Sequence, residues 1–202
     1  MTWGDSSMLE QALFQESDGG SNPTSSLQLQ FVVIKPQLAS QLNEKWHSRL
    51  PIIPWSNIVR NRNYICFGIT FENRFIGSAI WSSPVSRFFD FNQVLELRRM
   101  ALSEDCPKNT ATRFISYMVK YIKKSLPEIA LLISYQDTEV HAGTIYKAAN
   151  WTPSGKTKFA SWSKSRQRNV DQSTASKIRW EYQIKPLEVK VVKPLDTQME
   201  LQ

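Results

Sequence analysis

Acidic, imidazole and phenol side chains come together in one short stretch, SYQDTEVHAGTIYKAANW, from Ser134 to Trp151. This stretch joins an apolar run to a short amphipathic segment, and it holds one of only two histidines in the chain. Carboxylates, imidazoles and phenols accept and donate protons in general acid–base catalysis, so Asp137, His141 and Tyr146 are candidate catalytic residues. The same residues also suit plainer roles, with Asp137 as a turn cap and Tyr146 as a half-buried core side chain.

His141 has fewer neighbours in the sequence than a hydrolase triad or a metal site needs. No serine or cysteine lies in a recognisable nucleophile elbow, and there are too few spaced ligands to predict a bound metal. We therefore expect His141 to orient Tyr146, or to cap the helix that carries Tyr146, as a secondary residue of the site.

A second candidate site lies in SEDCPKNTATR, just before a strongly predicted helix. Asn109 suits the N-cap position, which leaves the amides of Thr110, Ala111 and Thr112 without partners inside the helix. Together with the cation of Arg113, such amides suit a phosphate or pyrophosphate. Neither G-x-x-x-x-G-K-[ST] nor G-x-G-x-x-G occurs, which argues against a nucleotide hydrolase or a Rossmann site. Simple capping of a surface helix is the alternative.

Positive charge is concentrated between Lys156 and Arg179, where seven Lys or Arg residues face one acid, Asp171. Phe159 and Trp162 lie among these cations. Cations neutralise phosphates and aromatic rings stack on bases, so this composition favours a nucleic-acid surface, with a solvated loop as the alternative. The candidate contacts are Lys156, Lys158, Trp162, Lys164, Arg166 and Arg168, with Arg60, Arg62 and Tyr64 from the aromatic-rich run PIIPWSNIVRNRNYICF.

The elements that must position these residues alternate along the chain. Apolar periodicity predicts strand, helix, hairpin, strand, helix, strand, helix and strand, which is typical of an α/β or α+β fold. The hairpin turns at Glu72-Asn73. The predicted strands are LQFVVIKP, YICFGITF, NRFIGSAIWSS, VLELRRMALS, IALLISY, WEYQIKP and LEVKVV, and the predicted helices are QLASQLNEKWHSRLP, NTATRFISYMVKYIKKSL and AGTIYKAAN.

Composition limits the class of protein. The 202 residues are 41% hydrophobic and include seven Trp, which favours one folded domain with tails. No apolar run has the length of a membrane span, and the acidic start MTWGDSSMLEQ does not resemble a secretory signal. Cys66 and Cys106 stand far apart, as expected for a reducing compartment. We therefore expect a cytoplasmic protein without membrane partners.

Four blocks of this sequence resemble the Mom family of bacteriophage DNA-modification proteins, which has the GNAT acyltransferase fold. They are LRRMAL (97–102), CPKNTATRF (106–114), ISYQD (133–137) and HAGTIYKAANW (141–151). PKNTAT stands where GNAT proteins usually carry a glycine-rich pyrophosphate loop. The resemblance implies a GNAT-like, mostly antiparallel mixed sheet flanked by helices.

The resemblance also implies a function. A Mom-like protein places a carbamoylmethyl (acetamido) group on adenine N6 in double-stranded DNA, which protects phage DNA from restriction in the bacterial cytoplasm. The adenine must be flipped out of the duplex to be reached. Acetyl-CoA is the implied cofactor, with Tyr146 as general acid toward the departing thiolate. Met100, Ala101 and Leu102 on the fourth strand join the residues after Asn109 as its expected contacts.

Arg99 completes the set of candidate catalytic residues. Strand alternation predicts that Arg98 and Arg99 point to opposite faces, and a cation pointing inward needs an anionic partner, for which Asp137 is the natural candidate. The expected domains are a flexible tail at 1–27, one catalytic domain at 28–192 that includes the basic segment 156–180, and a C-terminal tail at 193–202. An ordinary N-acetyltransferase of a protein or small-molecule amine, and a non-catalytic DNA-binding protein, remain open alternatives.

Overall fold

The protein has seven strands and four helices within the residues that the structure, a computed structural model, describes: 29–47, 51–157 and 176–187. The strands are β1 (Gln30–Val33), β2 (Tyr64–Phe71), β3 (Arg74–Ser82), β4 (Val94–Leu102), β5 (Leu131–Asp137), β6 (Thr152–Thr157) and β7 (Lys177–Gln183). The helices are α1 (Pro36–Trp46), α2 (Trp55–Val59), α3 (Thr110–Ser125) and α4 (Thr144–Ala148).

All seven strands form one sheet, in the order β1-β2-β3-β4-β5-β7-β6. Every neighbouring pair is antiparallel except β4 and β5, which are parallel. The predicted fold class, a mixed and mostly antiparallel sheet flanked by helices, is therefore confirmed.

Several element boundaries differ from the prediction. Helix α1 ends at Trp46 instead of continuing to Pro51, and α2 and β6 were not predicted. Strand β7 begins at Lys177, before the predicted WEYQIKP, because it pairs with β5 along the whole length of that strand. The predicted strand LEVKVV lies, apart from Leu187, outside the described residues.

The β2–β3 hairpin forms as its sequence predicts. Glu72 and Asn73 have φ angles of 50° and 57°. Left-handed conformation at both turn residues matches the right-handed twist of the flanking strands, which is why two-residue hairpin turns favour it. The turn thereby fixes the register of β2 against β3, the strand beside β4.

Alternation along the strands gives the sheet two different faces. Phe67 and Trp81 point to the face covered by α3 and α4, here called the α3 face, whereas Cys66 and Ile80 point to the α1 face, covered by α1 and α2. Burial of each large apolar side chain contributes about 1.5–3 kcal/mol. Helix α3 buries its predicted apolar stripe against the first face through Phe114, Ile115, Met118, Val119 and Ile122, with Tyr117 and Tyr121 half-buried beside them.

Strands β4 and β5 pair over only part of their length. Their ladder runs from Val94–Leu131 to Leu97–Ser134. Beyond that pair β4 continues to Leu102, and β5 continues to Asp137 alongside β7. Within the described residues, the β5-facing edge of β4 past Leu97 therefore has backbone groups with no strand partner. The sheet therefore opens between β4 and β5 beyond the Leu97–Ser134 pair, and this opening, here called the split, runs from the α3 face to the α1 face.

Candidate active site

A β-bulge in β4 reshapes the sheet where the split begins. Ile80 pairs with Arg99 and Trp81 pairs with Leu97, so Arg98 is the extra residue. An extra residue shifts the alternation by one position and turns both arginines toward one face. Arg98 donates to Ser82 Oγ at 3.4 Å and Arg99 lies opposite Ile80, which places both on the α1 face. The prediction of opposite faces was wrong, because a bulge breaks the period of two.

Arg98 is neutralised by a carboxylate that sequence reasoning missed. Its Nε lies 3.4 Å from Glu96 Oε1, and the Glu96 carboxylate also accepts a hydrogen bond from the Val85 amide at 3.0 Å. Burial raises the pKa of Glu96, and the charge of Arg98 and the Val85 amide oppose that rise. Glu96 thus acts as a nearly buried counter-ion, which its position in an apolar strand does not reveal.

Arg99 has different surroundings. Its guanidinium donates to the Arg98 carbonyl at 2.8 Å and to the Pro51 carbonyl at 3.5 Å, so the partner predicted from sequence, Asp137, is replaced by backbone oxygens. Burial and the nearby charge of Arg98 lower the pKa of Arg99 to about 10, with Glu96 acting in the opposite direction. A half-buried cation held by carbonyls is well placed to stabilise negative charge on a bound group.

His47 is a further residue of this face that the sequence did not single out. It follows the last turn of α1, and its Nδ1 is buried without a hydrogen-bond partner in the described part of the chain. Burial, and then the charges of Arg99 and His141, lower the pKa of His47. Its imidazole is therefore neutral at neutral pH and can accept a proton. A cavity of about 580 Å³ beside it is lined by residues 44–47 and 102–105.

Asp137 ends β5 on the same face of the sheet. Alternation places it with Ile133 and Tyr135, opposite the side of Ser134. Its Oδ1 accepts a hydrogen bond from the Glu139 amide at 3.0 Å, and its carbonyl accepts one from the His141 amide at 3.1 Å. These bonds fix the turn after β5, so the turn-capping role proposed from sequence is present.

Tyr146 lies across the sheet from these residues, on the α3 face. Its hydroxyl is 2.9 Å from Ser134 Oγ, which lies 3.4 Å from the Leu97 carbonyl at the last β4–β5 pair. Its ring stacks on Trp180 with 5.4 Å between centroids. Burial raises the pKa of Tyr146, opposed by the bond with Ser134, so the phenol keeps its proton at neutral pH. The phenol of Tyr146, a buried proton donor, therefore lies next to the Leu97–Ser134 pair at which the split begins.

A glutamine and a glycine hold the turn that connects these groups. Gln136 accepts a hydrogen bond from Trp180 Nε1 at 2.6 Å and donates one to the His141 carbonyl. Gly143 starts α4 with φ of 73°, and a Cβ there would lie 2.5 Å from Gln136 Oε1. His141 is exposed. The expected capping role of His141 was wrong, since Gly143 occupies the N-cap of α4. The Tyr146 hydroxyl bonds to Ser134, and a role of His141 as a secondary residue of the site stays a prediction.

The start of α3 differs in detail from the prediction. Asn109 is left-handed, with φ of 63°, and its side chain makes no capping bond to the described residues. The amide and hydroxyl of Thr110 both donate to the Pro107 carbonyl. Among the predicted free amides, those of Ala111 and Thr112 have no acceptor in the described chain. Two amides thus remain free instead of three.

Two groups of residues, at the start of α3 and at the end of β4, would suit an acetyl-CoA molecule. Arg113 is exposed in the first turn of α3, with its guanidinium 5.9 Å from the Phe31 ring centroid, and it adds a cation beside the two free amides. Met100, Ala101 and Leu102 lie on the part of β4 past the split. Their strand edge offers backbone groups to the amides of a pantetheine arm. The described residues therefore fit the cofactor.

The predicted nucleic-acid contacts are only partly within the described structure. Arg60, Arg62 and Tyr64 are exposed between α2 and β2, and Lys156 is exposed on β6. Lys158, Trp162, Lys164, Arg166 and Arg168 lie outside the described residues. The strands on either side of them end next to Asp137, because Lys177 pairs with both Asp137 and Thr157. The basic segment therefore leaves and rejoins the sheet beside the candidate site.

The described ranges contain neither a cluster of metal ligands nor a membrane-spanning helix. Over residues 29–47, 51–157 and 176–187, no three His, Cys, Asp or Glu side chains are grouped as metal ligands. No helix in those ranges is both long enough and apolar enough to cross a membrane.

Solved structures similar to this one include an acetyltransferase of the GNAT family from Streptococcus pneumoniae, with a TM-score of 0.55 and 8% identity over 78% of this chain and 100% of that protein. The ribosomal-protein-S18-alanine N-acetyltransferase of Escherichia coli aligns with a TM-score of 0.56 and 11% identity, over 81% of this chain and 99% of that protein. The aminoglycoside acetyltransferase AAC(6')-Ib, solved with coenzyme A and kanamycin, aligns with a TM-score of 0.55 and 11% identity, over 78% and 95%. The fold is therefore the GNAT acyltransferase fold.

The sequence also identifies the family to which this chain belongs within the fold. The sequence profile of the Mom protein family matches residues 28–199, so the chain belongs to the Mom family. Methylcarbamoylase Mom of Escherichia phage Mu is 29% identical over 100 residues. That match covers 45% of this chain and 42% of the phage Mu protein, so the chain spans less than half of that relative.

Proposed function

We propose that this protein is a phage DNA-modification enzyme that uses acetyl-CoA to place a carbamoylmethyl group on adenine N6. The observation that carries the proposal is the split between β4 and β5. It has Arg99, Asp137 and His47 near one face and the buried phenol of Tyr146 at the other. Membership of the Mom family supports DNA as the substrate.

The cofactor is held on the α3 face. The amides of Ala111 and Thr112 and the cation of Arg113 would bind its phosphates, and the β4 edge at Met100–Leu102 would bind its pantetheine arm. Bound there, acetyl-CoA would supply the two carbons of the carbamoylmethyl group as a thioester. An amine donor would supply the amide nitrogen and displace the thiolate from the carbonyl carbon, and a two-electron oxidant would accept the hydride equivalent that the methyl carbon loses when it bonds to N6. Tyr146 keeps its proton because it is buried, and it would donate that proton to the departing thiolate as a general acid.

The adenine is presented on the α1 face. Its exocyclic nitrogen is conjugated with the ring and is a weak nucleophile, so it must lose a proton as the new bond to carbon forms. Neutral His47 and the carboxylate of Asp137 are the bases on this face, and Arg99 stabilises the negative charge that develops. The exposed residue His141 lies in the turn after Asp137 and is a secondary residue of this site.

The duplex is bound by cations on both sides of this face. Arg60, Arg62 and Tyr64 lie on one side, and the described ends of β6 and β7, between which the basic segment is inserted in the sequence, lie beside Asp137. The segment contributes Lys158, Trp162, Lys164, Arg166 and Arg168. Adenine N6 carries the hydrogen-bond donor that proteins read in the major groove. A carbamoylmethyl group there blocks recognition by restriction enzymes in the host cytoplasm, which protects phage DNA.

Mass spectrometry of nucleosides tests the proposal. DNA from bacteria that express the protein is digested and compared with DNA from bacteria that express Asp137→Ala. The proposal predicts an adenosine that carries one acetamido unit in the first sample and its loss in the second. Unmodified DNA together with a newly acetylated host protein would instead identify an ordinary N-acetyltransferase. Unmodified DNA bound tightly, with no acetylated product, would identify a DNA-binding protein on the same fold.

A further inference from the structure

The loop between β3 and β4, residues 83–93, is anchored directly to the candidate site. The Val85 amide donates to Glu96 Oε2 at 3.0 Å, and the same carboxylate pairs with Arg98 in the bulge. At its other end, the Asp90 carboxylate accepts hydrogen bonds from Asn92 and Gln93. Because both ends are tied down, the tip of the loop has a defined position relative to the site.

Two adjacent phenylalanines at the tip have opposite environments. Phe89 packs half-buried on the α1 face of β5 near Tyr135, and the Arg179 guanidinium lies 5.4 Å from its ring centroid. Phe88 is 87% exposed, the highest value for a large hydrophobic side chain in the described residues. Phe89 thus holds the loop against the sheet, and the neighbouring Phe88 projects an apolar ring into solvent.

The surroundings of Phe88 are cationic. The Arg87 guanidinium lies 5.6 Å from its ring centroid. Asn63 donates to the Phe91 carbonyl at 3.0 Å and so joins this loop to the run that carries Arg60 and Arg62. The one acid in the loop sequence, Asp90, is engaged by its own neighbours. An exposed ring beside one arginine, in a loop that is hydrogen-bonded to a second run rich in arginine, suits contact with stacked bases and their phosphates.

We propose that Phe88 inserts into the duplex at the step that the target adenine leaves, so that the open base is held out for the site. This inference rests on the proposed function for its partner, duplex DNA. A base must leave the stack before an enzyme can reach its exocyclic nitrogen. Apolar side chains that wedge between base steps offset part of the cost of unstacking, a few kcal/mol per step. Arg87, Arg60 and Arg62 bind the phosphates beside the opening.

Fluorescence of 2-aminopurine, which brightens when the base unstacks, tests the wedge separately from the chemistry. A set of duplexes places 2-aminopurine in every neighbouring-base context and is titrated with the full-length protein. The wild type is expected to raise the fluorescence in at least one context. Phe88→Ala is expected to abolish the rise while binding the duplex, and Phe88→Leu to keep most of it. Phe91→Ala removes a 40% exposed ring from the same loop and serves as the matched control.

The outcomes separate the wedge from the proposed function. A rise that persists in Phe88→Ala, or no rise with the wild type in any context, would overturn the wedge, as would an equal loss in Phe91→Ala. Modification of duplex and of single-stranded DNA is then measured by nucleoside mass spectrometry. Loss of the ring should lower duplex modification roughly tenfold to a hundredfold and leave the single strand nearly unaffected. If the wild type opens the base but modifies neither substrate, the proposed reaction fails and the wedge stands.

Discussion

Removing one hydroxyl, in Tyr146→Phe, separates a catalytic role of this phenol from a packing role. The ring keeps its stacking on Trp180 and its contact with Trp151, so the core loses no volume. Ser134 Oγ loses its partner at 2.9 Å but keeps the Leu97 carbonyl at 3.4 Å. The structural cost is therefore one hydrogen bond, about 1 kcal/mol. In a chain of this size that lowers the melting temperature by about 2–4 °C.

The catalytic cost is expected to be much larger. Loss of a general acid lowers the rate about a hundredfold to ten-thousandfold, which corresponds to roughly 2.7–5.5 kcal/mol of activation free energy. Modified adenine is counted in the DNA of cells that carry each variant, alongside the melting temperature and DNA affinity of the purified protein. Tyr117→Phe, which removes a half-buried hydroxyl from the same core, is the matched control. A folded Tyr146→Phe protein that modifies DNA at the wild-type rate would refute the general-acid role.

Three further predictions concern the cofactor, the DNA and pH. Acetyl-CoA should raise the melting temperature of the purified protein, and Arg113→Ala should reduce that rise through about tenfold weaker binding. An equal rise in the wild type and in Arg113→Ala would place the phosphates of acetyl-CoA elsewhere. The logarithm of the binding constant for duplex DNA should fall by about 0.9 per log unit of salt for each neutralised phosphate. Neutralising Lys164, Arg166 and Arg168 together should flatten that slope, whereas an unchanged slope would favour the alternative of a solvated loop. Because the folded-state pKa of His47 lies below the unfolded value of 6.5, the unfolded chain binds the proton first as pH falls. Stability should therefore drop below about pH 6.5, and His47→Gln should lessen the drop in thermal melts; parallel wild-type and variant curves would contradict the assignment.

Local sequence signals predicted much of the fold. The β2–β3 hairpin follows from alternating apolar runs around Glu72 and Asn73, two residues whose left-handed conformation the turn needs. Helix α3 follows from an apolar stripe with lysines on the other side. Both elements depend on residues close together in the chain, which is why a single sequence reveals them. Strand β6 was missed because its sequence, TPSGKT, has turn-forming residues, and it forms only by pairing with β7.

The candidate site was predicted only where one segment supplies it. Asp137 and Tyr146 follow from the stretch that joins β5 to α4, although no pattern in that stretch indicates that they lie on opposite faces of the sheet. The common orientation of Arg98 and Arg99 depends on a bulge, and a pattern of alternating residues cannot reveal one. His47 comes to the site through packing of α1 across the sheet, a contact between segments that are distant in sequence.

The central claim is that the two faces of the split bring acetyl-CoA and an adenine of DNA together. The most direct measurement follows the acetyl carbons themselves. Purified protein is incubated with duplex DNA, bacterial extract as a source of nitrogen donors and of the two-electron oxidant, and acetyl-CoA that carries heavy carbon at both acetyl positions. The account predicts that nucleoside mass spectrometry finds a modified adenosine containing both heavy carbons, and that Tyr146→Phe lowers its yield. A modified adenosine without the heavy carbons, or heavy carbon found only in acetylated proteins, would contradict it.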